Sequence, residues 1–283
     1  MRLLRYGPRG AEKPGLLDSQ GRIRDLSREV PDINGAALAP ESLARLAARD
    51  PEGLPLVEDT PRIGAPVANV PNLVCIGLNY ADHARETNSP IPEVPIVFMK
   101  HTGSIIGPND QVKIPRGSSK VDWEVELGIV IGSAASYVDE ANALDHVAGY
   151  CIVNDVSERD HQRNGGGGQW IKGKSHSTFA PVGPWLVTKD EVRDPQGLAL
   201  WLEVDGERRQ NGSTRTMIFG VKTLVADVSR YMTLLPGDII STGTPPGVGM
   251  GHKPDPIFLK PGSVMRVGVQ GLGEQHQTVV AFD

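Results

Sequence analysis

Two glutamates one residue apart, Glu124 and Glu126, head a run, residues 121–131, that is apolar and β-branched after the acids. Such a run reads as a strand, and residues two apart on a strand project from one face. Two carboxylates on one patch repel, and each raises the other's pKa unless a cation lies between them. A divalent metal is the economical reading; the alternative is an exposed acidic face on an edge strand. A third acid, Asp155, ends a second apolar run, residues 149–155, where it either caps the next turn or joins the pair. With it the set is all oxygen and suits a hard ion, Mg2+, with Mn2+ or Ca2+ as substitutes. Zinc would ask for Cys or His ligands, and no spacing supplies them.

A second constellation is His83 and Glu86, three residues apart. On one helical turn they share a face and can hydrogen-bond, either as a surface pair or as a base with its orienting acid. Glu86 would then hold the imidazole while His83 takes a proton from water. The surrounding polar, proline-flanked stretch, residues 79–92, reads as a lid that orders when substrate binds. One motif misleads. Residues 168–175 satisfy the phosphate-loop pattern G-x-x-x-x-G-K-S. Such a loop needs a strand before it and a helix N-terminus after it. Here a four-glycine run precedes it, and residues 176–184, with Pro181 and Pro184, cannot start a normal helix. No nucleotide site is expected.

The elements that must position these groups are mostly strands. Apolar candidates cover residues 73–77, 96–100, 124–132, 146–155, 185–188, 198–204, 238–243 and 264–269, separated by Gly and Pro turns. Helical spacing is clear only at 40–49 and 218–231. Ahead of them, short strand-like pieces lie at 1–6, 15–17 and 23–26, and prolines punctuate 51–71. This pattern predicts an α+β, β-rich fold: residues 1–70 as a small N-terminal domain with its connector, and 71–283 as the catalytic domain.

Composition sets the surroundings. With 283 residues, 39% of them hydrophobic, the chain can build a sizeable core. A net charge of -5, no long basic run and 5% aromatic residues argue against a nucleic-acid partner. Two cysteines, Cys75 and Cys151, far apart and outside any Cys-x-x-Cys, are expected as reduced thiols. The first residues lack the apolar stretch of a signal peptide and no segment approaches a membrane span, so a cytoplasmic protein without membrane contact is expected.

Five segments, residues 75–86, 122–126, 154–160, 172–175 and 241–249, together resemble the fumarylacetoacetate hydrolase family, in order, over the chain from about residue 71 onward. Within it they resemble the branch holding 2,4-diketo-3-deoxy-L-rhamnonate hydrolase and acylpyruvate hydrolases. The resemblance implies a mixed β-roll or β-sandwich of the family's C-terminal type with a small N-terminal α/β appendage, a divalent metal, usually Mg2+, and a homodimer. It implies that Glu124, Glu126 and Asp155 hold the metal and that His83 and Glu86 activate water. It gives Lys174, brought near neutrality by the metal, the task of supplying a proton or steadying an oxyanion. Arg159, Gln162 and Thr244 take the positions of substrate contacts, and Tyr80 and Lys100 are further pocket candidates. The implied activity is hydrolysis of a carbon-carbon bond in a 2,4-dioxo acid. Oxaloacetate decarboxylation, keto-enol isomerisation or lyase activity are the alternatives on the same scaffold, and a small-acid binding protein is the non-enzymatic one. One departure stands out: many relatives carry an acid where this chain has Ser177.

Overall fold

The run that carries the paired glutamates forms strand Val125–Ile131, and all seven of its residues are buried. A strand with no polar face needs cover on both sides. It lies between Val147–Asn154 and Ile239–Ser241, antiparallel to both. A computed structural model describes residues 1–86 and 89–282 of the chain. The stretch expected to act as a lid, 79–92, contains Thr87 and Asn88, which lie outside the described residues.

The central strands belong to a large mixed sheet. From one edge its main path runs Ile23–Asp25, Lys13–Leu17, Arg2–Tyr6, Ala180–Thr188, Val147–Asn154, Val125–Ile131, Ile239–Ser241, Leu73–Gly77 and Ile96–Lys100. Only the pairing of Ile239–Ser241 with Leu73–Gly77 is parallel along this path. A second sheet of five strands runs Glu207–Ser213, Ala199–Val204, Val264–Val269, Gly273–Ala281 and Val112–Ile114.

Alternation along the strands decides what covers each face. Val125, Leu127 and Ile129 pack with Leu200, Leu202 and Val267 of the second sheet and with Leu224 and Val228 of helix Val221–Tyr231. Val130, Cys151 and Val153 point the other way, into a core shared with Leu3, Leu16 and Leu46 from the N-terminal segment. The α+β, β-rich architecture is therefore a sandwich of two sheets with the N-terminal segment on the outer face of the larger one. Both cysteines are free and buried.

Residue 70 is not a division of the sheet. Arg2–Tyr6 pairs with Ala180–Thr188, with Leu3 opposite Leu186, so the first strands complete the catalytic sheet across that boundary. The proline-punctuated connector itself pairs Ile63–Gly64 with Arg2–Tyr6 and buries Val67, and the apolar residues before it have no separate core to fill. Besides short pieces such as Val112–Ile114, two long strands escape a pattern search. Glu207–Ser213 is polar throughout and lies at the edge of its sheet, and Gly273–Ala281 alternates around Gln275 and Gln277 in place of apolar residues. Among the described residues, no helix is long and apolar enough to cross a membrane.

Candidate active site

At one end of the large sheet, Glu126 pairs directly with Val153, and Asp155 lies two residues beyond Val153 on the same face. Glu124, two residues before Glu126, joins them through a backbone hydrogen bond from Asp155 N to Glu124 O of 2.9 Å. Each of the three offers a carboxylate oxygen, all within 4.8 Å of one another. An exposed acidic face is excluded, since Glu124, Glu126 and Asp155 are 6%, 1% and 0% exposed.

Burying three carboxylates together is costly unless cations and hydrogen bonds offset it. Lys174 Nζ bridges Glu124 Oε2 at 2.8 Å and Asp155 Oδ2 at 2.7 Å, and Lys100 Nζ binds Asp155 Oδ1 at 2.5 Å. Arg159 reaches Glu124 Oε1 at 2.7 Å. Glu126 is held differently, by hydrogen bonds in place of ion pairs. Its Oε2 accepts from Ser241 Oγ at 2.5 Å and from the backbone of Gly243 at 2.9 Å, so that Oε1 can serve a cation. Gly243 adopts φ +91°, a region that favours glycine, and so turns its N–H onto the carboxylate.

Titration follows this division. Burial, then the charges of Asp155 and Glu124, push the Glu126 carboxyl well above its ordinary value. Burial also opposes the charge on Glu124, but Lys174 and Arg159 overcome it and hold that carboxyl low. Burial disfavours the Lys174 ammonium, yet the carboxylates of Asp155 and Glu124 outweigh burial and raise its pKa; the expectation of a near-neutral lysine concerns the site with its metal bound. The donor set fits a hard divalent cation: three carboxylates from two adjacent strand ends, no His or Cys among them, and an ammonium already seated against two of the three. The same ammonium disposes of the phosphate-loop pattern. Lys174 ends a four-residue helix, Ile171–Lys174, and points into carboxylates, a place a phosphate would be repelled from.

Glu124 and Glu126 of the triad form part of the wall of a cavity of about 360 Å³. His83 lines it too, carried by helix Ala81–Glu86, and its Nδ1 lies 3.0 Å from Glu86 Oε2. An ionised carboxylate only accepts, so a neutral imidazole in this pair donates from Nδ1 and has Nε2 as its basic nitrogen. Glu86 is itself fixed, its Oε1 accepting from Gly247 N at 3.0 Å. Arg159, Gln162, Thr244 and Lys174 all line the same cavity. Arg159 donates through Nε to Asp122 at 2.8 Å and through one terminal nitrogen to Gln162 Oε1 at 3.0 Å. Its other terminal nitrogen is buried with no partner among the described residues. The Thr244 hydroxyl is engaged, donating to Val125 O at 2.9 Å and accepting from Gln210 at 2.8 Å.

Tyr80 and Lys100 do not line the cavity. Tyr80 is fully buried in the core between the sheets, and Lys100 stands behind Asp155, also bonding Val156 O at 3.0 Å. A lysine on the strand Ile96–Lys100 finds a carboxylate before it finds solvent, so it supports Asp155 from outside the cavity lining. Ser177 is exposed and lines a separate cavity with His161 and His176.

Four contributing residues are not singled out by the sequence pattern. Asp122, in the same run as the paired glutamates, accepts from Arg159 Nε and from the amides of Gly249 and Met250, tying the 244–251 loop to the arginine. Ser241 orients Glu126. Phe98 and Trp170 meet edge to face at 5.2 Å and give the cavity an aromatic wall. Asp122 and Ser241 lie inside the family-like segments, whereas the aromatic wall joins residues of distant segments that no local pattern links.

The fold and site together define an α+β protein with a buried acidic triad suited to a divalent cation at the wall of a cavity. The family model "Fumarylacetoacetate (FAA) hydrolase C-terminal" matches residues 72–280, and the chain belongs to the fumarylacetoacetate hydrolase family. A relative from Burkholderia lata, which carries a provisional hydrolase name, is 64% identical over 98% of each chain. Among solved structures, maleylpyruvate hydrolase from Sphingobium sp. SYK-6, in complex with manganese(II) and pyruvate, superposes with a TM-score of 0.82 at 28% identity over 100% of both chains. The 5-carboxymethyl-2-hydroxymuconate delta-isomerase from Mycobacterium smegmatis superposes at 0.77, with 33% identity and the same coverage.

Proposed function

We propose that this protein hydrolyses a carbon-carbon bond in a 2,4-dioxo acid, an acylpyruvate or a 2,4-diketo-3-deoxy sugar acid, using Mg2+. The observation that carries the reading is one cavity lined by two members of the carboxylate triad, Glu124 and Glu126, and by His83, which Glu86 holds from behind. Maleylpyruvate hydrolase, with its manganese and pyruvate, supports a 2-oxo acid as the ligand class. Glu124, Glu126 and Asp155 would hold a divalent cation, which when bound would supply Lewis-acid polarisation and orient the substrate.

The remaining steps belong to side chains. The unpartnered Arg159 nitrogen receives the substrate carboxylate, a charge-assisted bond that satisfies a buried donor. His83 Nε2 takes the proton of a water whose oxygen bonds to C4, while Glu86 stabilises the imidazolium. The C3–C4 bond then breaks, and its electron pair passes to the pyruvyl fragment as an enolate. Lys174, paired with Glu124 and Asp155, would carry a proton that it can deliver to C3. Pyruvate and the acid of the acyl group leave. Replacing His83 by Ala is expected to lower kcat on acylpyruvates about 100- to 10,000-fold while Mg2+ affinity stays unchanged. A spectrophotometric screen of 2,4-dioxo acids with Mg2+, following loss of the enol absorbance and identifying products, tests the activity; no turnover across neutral and acidic acyl groups sinks it.

Isomerisation is the second reading, favoured by the similarity to a delta-isomerase. It needs no activated water, so His83→Ala separates the two: an isomerase shifts a double bond without releasing pyruvate, and normal acylpyruvate turnover in this variant would move water activation elsewhere.

A further inference from the structure

The cavity wall carries a cation that this chemistry does not use. Arg163 lies four residues beyond Arg159 on the helix Arg159–Asn164, so the two share a helix face, and both line the cavity. Their circumstances differ. Arg159 is 4% exposed and bound to Asp122, Glu124 and Gln162. Arg163 is exposed and its side chain, among the described residues, has neither an ion pair nor a hydrogen bond. The other cationic or titratable bases of the cavity are committed, Lys174 to Glu124 and Asp155 and His83 to Glu86.

The lining between polar groups is apolar, with Ile76, Leu78, Phe98, Trp170 and Met250. Such a wall suits a short carbon chain, and a solvent-facing guanidinium at the opening suits a second carboxylate, whose geometry its planar fork matches. Gly168, from the glycine run that follows the helix, lines the same opening and presents no side chain to compete. We propose that Arg163 selects substrates whose acyl group ends in a carboxylate, by pairing with that distal carboxylate at the cavity mouth. This rests on the 2-oxo-acid reading above and narrows its substrate class to dicarboxylates. An exposed pair of this kind contributes modestly, and a preference of about three- to tenfold is expected.

The test is calorimetric titration of the Mg2+-loaded full chain with 2-oxoheptanedioate and 2-oxoheptanoate, which differ only in the terminal carboxylate and lack the bond to be cleaved. The dicarboxylate should bind about three- to tenfold more tightly. Arg163→Gln should abolish that preference without changing the affinity for 2-oxoheptanoate, and Arg163→Lys should retain part of it. Equal affinities in the wild type, or an undiminished preference in Arg163→Gln, overturn the assignment and leave the 2-oxo-acid reading standing. Failure of both acids to bind overturns the two together. Turnover provides a second readout: the kcat/KM ratio of succinylpyruvate to butyrylpyruvate should fall to near one in Arg163→Gln.

Discussion

Lys174 sits 2.7–2.8 Å from two members of a carboxylate triad that its own charge stabilises. Removing one partner of a buried ion pair leaves uncompensated charge, at a cost of about 3–5 kcal/mol. Lys174→Met should therefore be destabilised by about that amount without divalent cation, and Mg2+ should restore much of the loss, read from thermal unfolding with and without metal. Equal destabilisation in both conditions would place the lysine's contribution outside the metal site. Ser241 bears on Glu126 alone among the triad, through one short hydrogen bond. Ser241→Ala is expected to weaken Mg2+ binding about 10- to 100-fold by calorimetry, the usual effect of losing a group that orients a ligand.

Elements act by bringing their ends together. The triad exists because Val125–Ile131 and Val147–Asn154 pair in a register that sets Glu126 opposite Val153. Helix Arg159–Asn164 follows Asp155 closely enough to turn Arg159 back onto Asp122 and Glu124. The loop after Ile239–Ser241 closes the arrangement, since the amides of Gly249 and Met250 both bind Asp122. A Cβ at Gly249 would collide with Ile257 O and come within 2.9 Å of Asp122 Oδ1. Gly249→Ala should lose about 1–3 kcal/mol of stability and, by shifting Asp122 and with it Arg159, raise KM for the 2-oxo acid. An unchanged melting temperature would mean that the loop accommodates the methyl group.

On the scale of the molecule, the N-terminal segment is structural cover for the catalytic sheet. Its strand Arg2–Tyr6 pairs with Ala180–Thr188, and Leu3, Leu16 and Leu46 share a core with Val130, Cys151 and Val153. Deleting residues 1–70 bares that face and the unpaired edge of Ala180–Thr188, an edge open to pairing with other chains. Such a truncation should associate on size-exclusion chromatography and lose its cooperative unfolding transition. A monomeric, cooperatively folded product would restore the view of two separable domains.

The local chemistry was legible in the sequence because it depends on spacing. Glu124 and Glu126 two apart on a strand, and His83 and Glu86 three apart on a helical turn, share a face by backbone geometry alone, and both pairs form. The β-rich class was legible for the same reason, since apolar runs bounded by glycine and proline have few other uses. Tertiary structure decided what depends on distant partners. Whether the acids are exposed or buried, which carboxylates surround Lys174, and whether Lys100 meets the cavity or Asp155 all turn on groups brought together across the sheet. A sequence records which charges a chain carries and their local phase. The free energy of each charge is set by its desolvation and by neighbours that only the folded chain supplies.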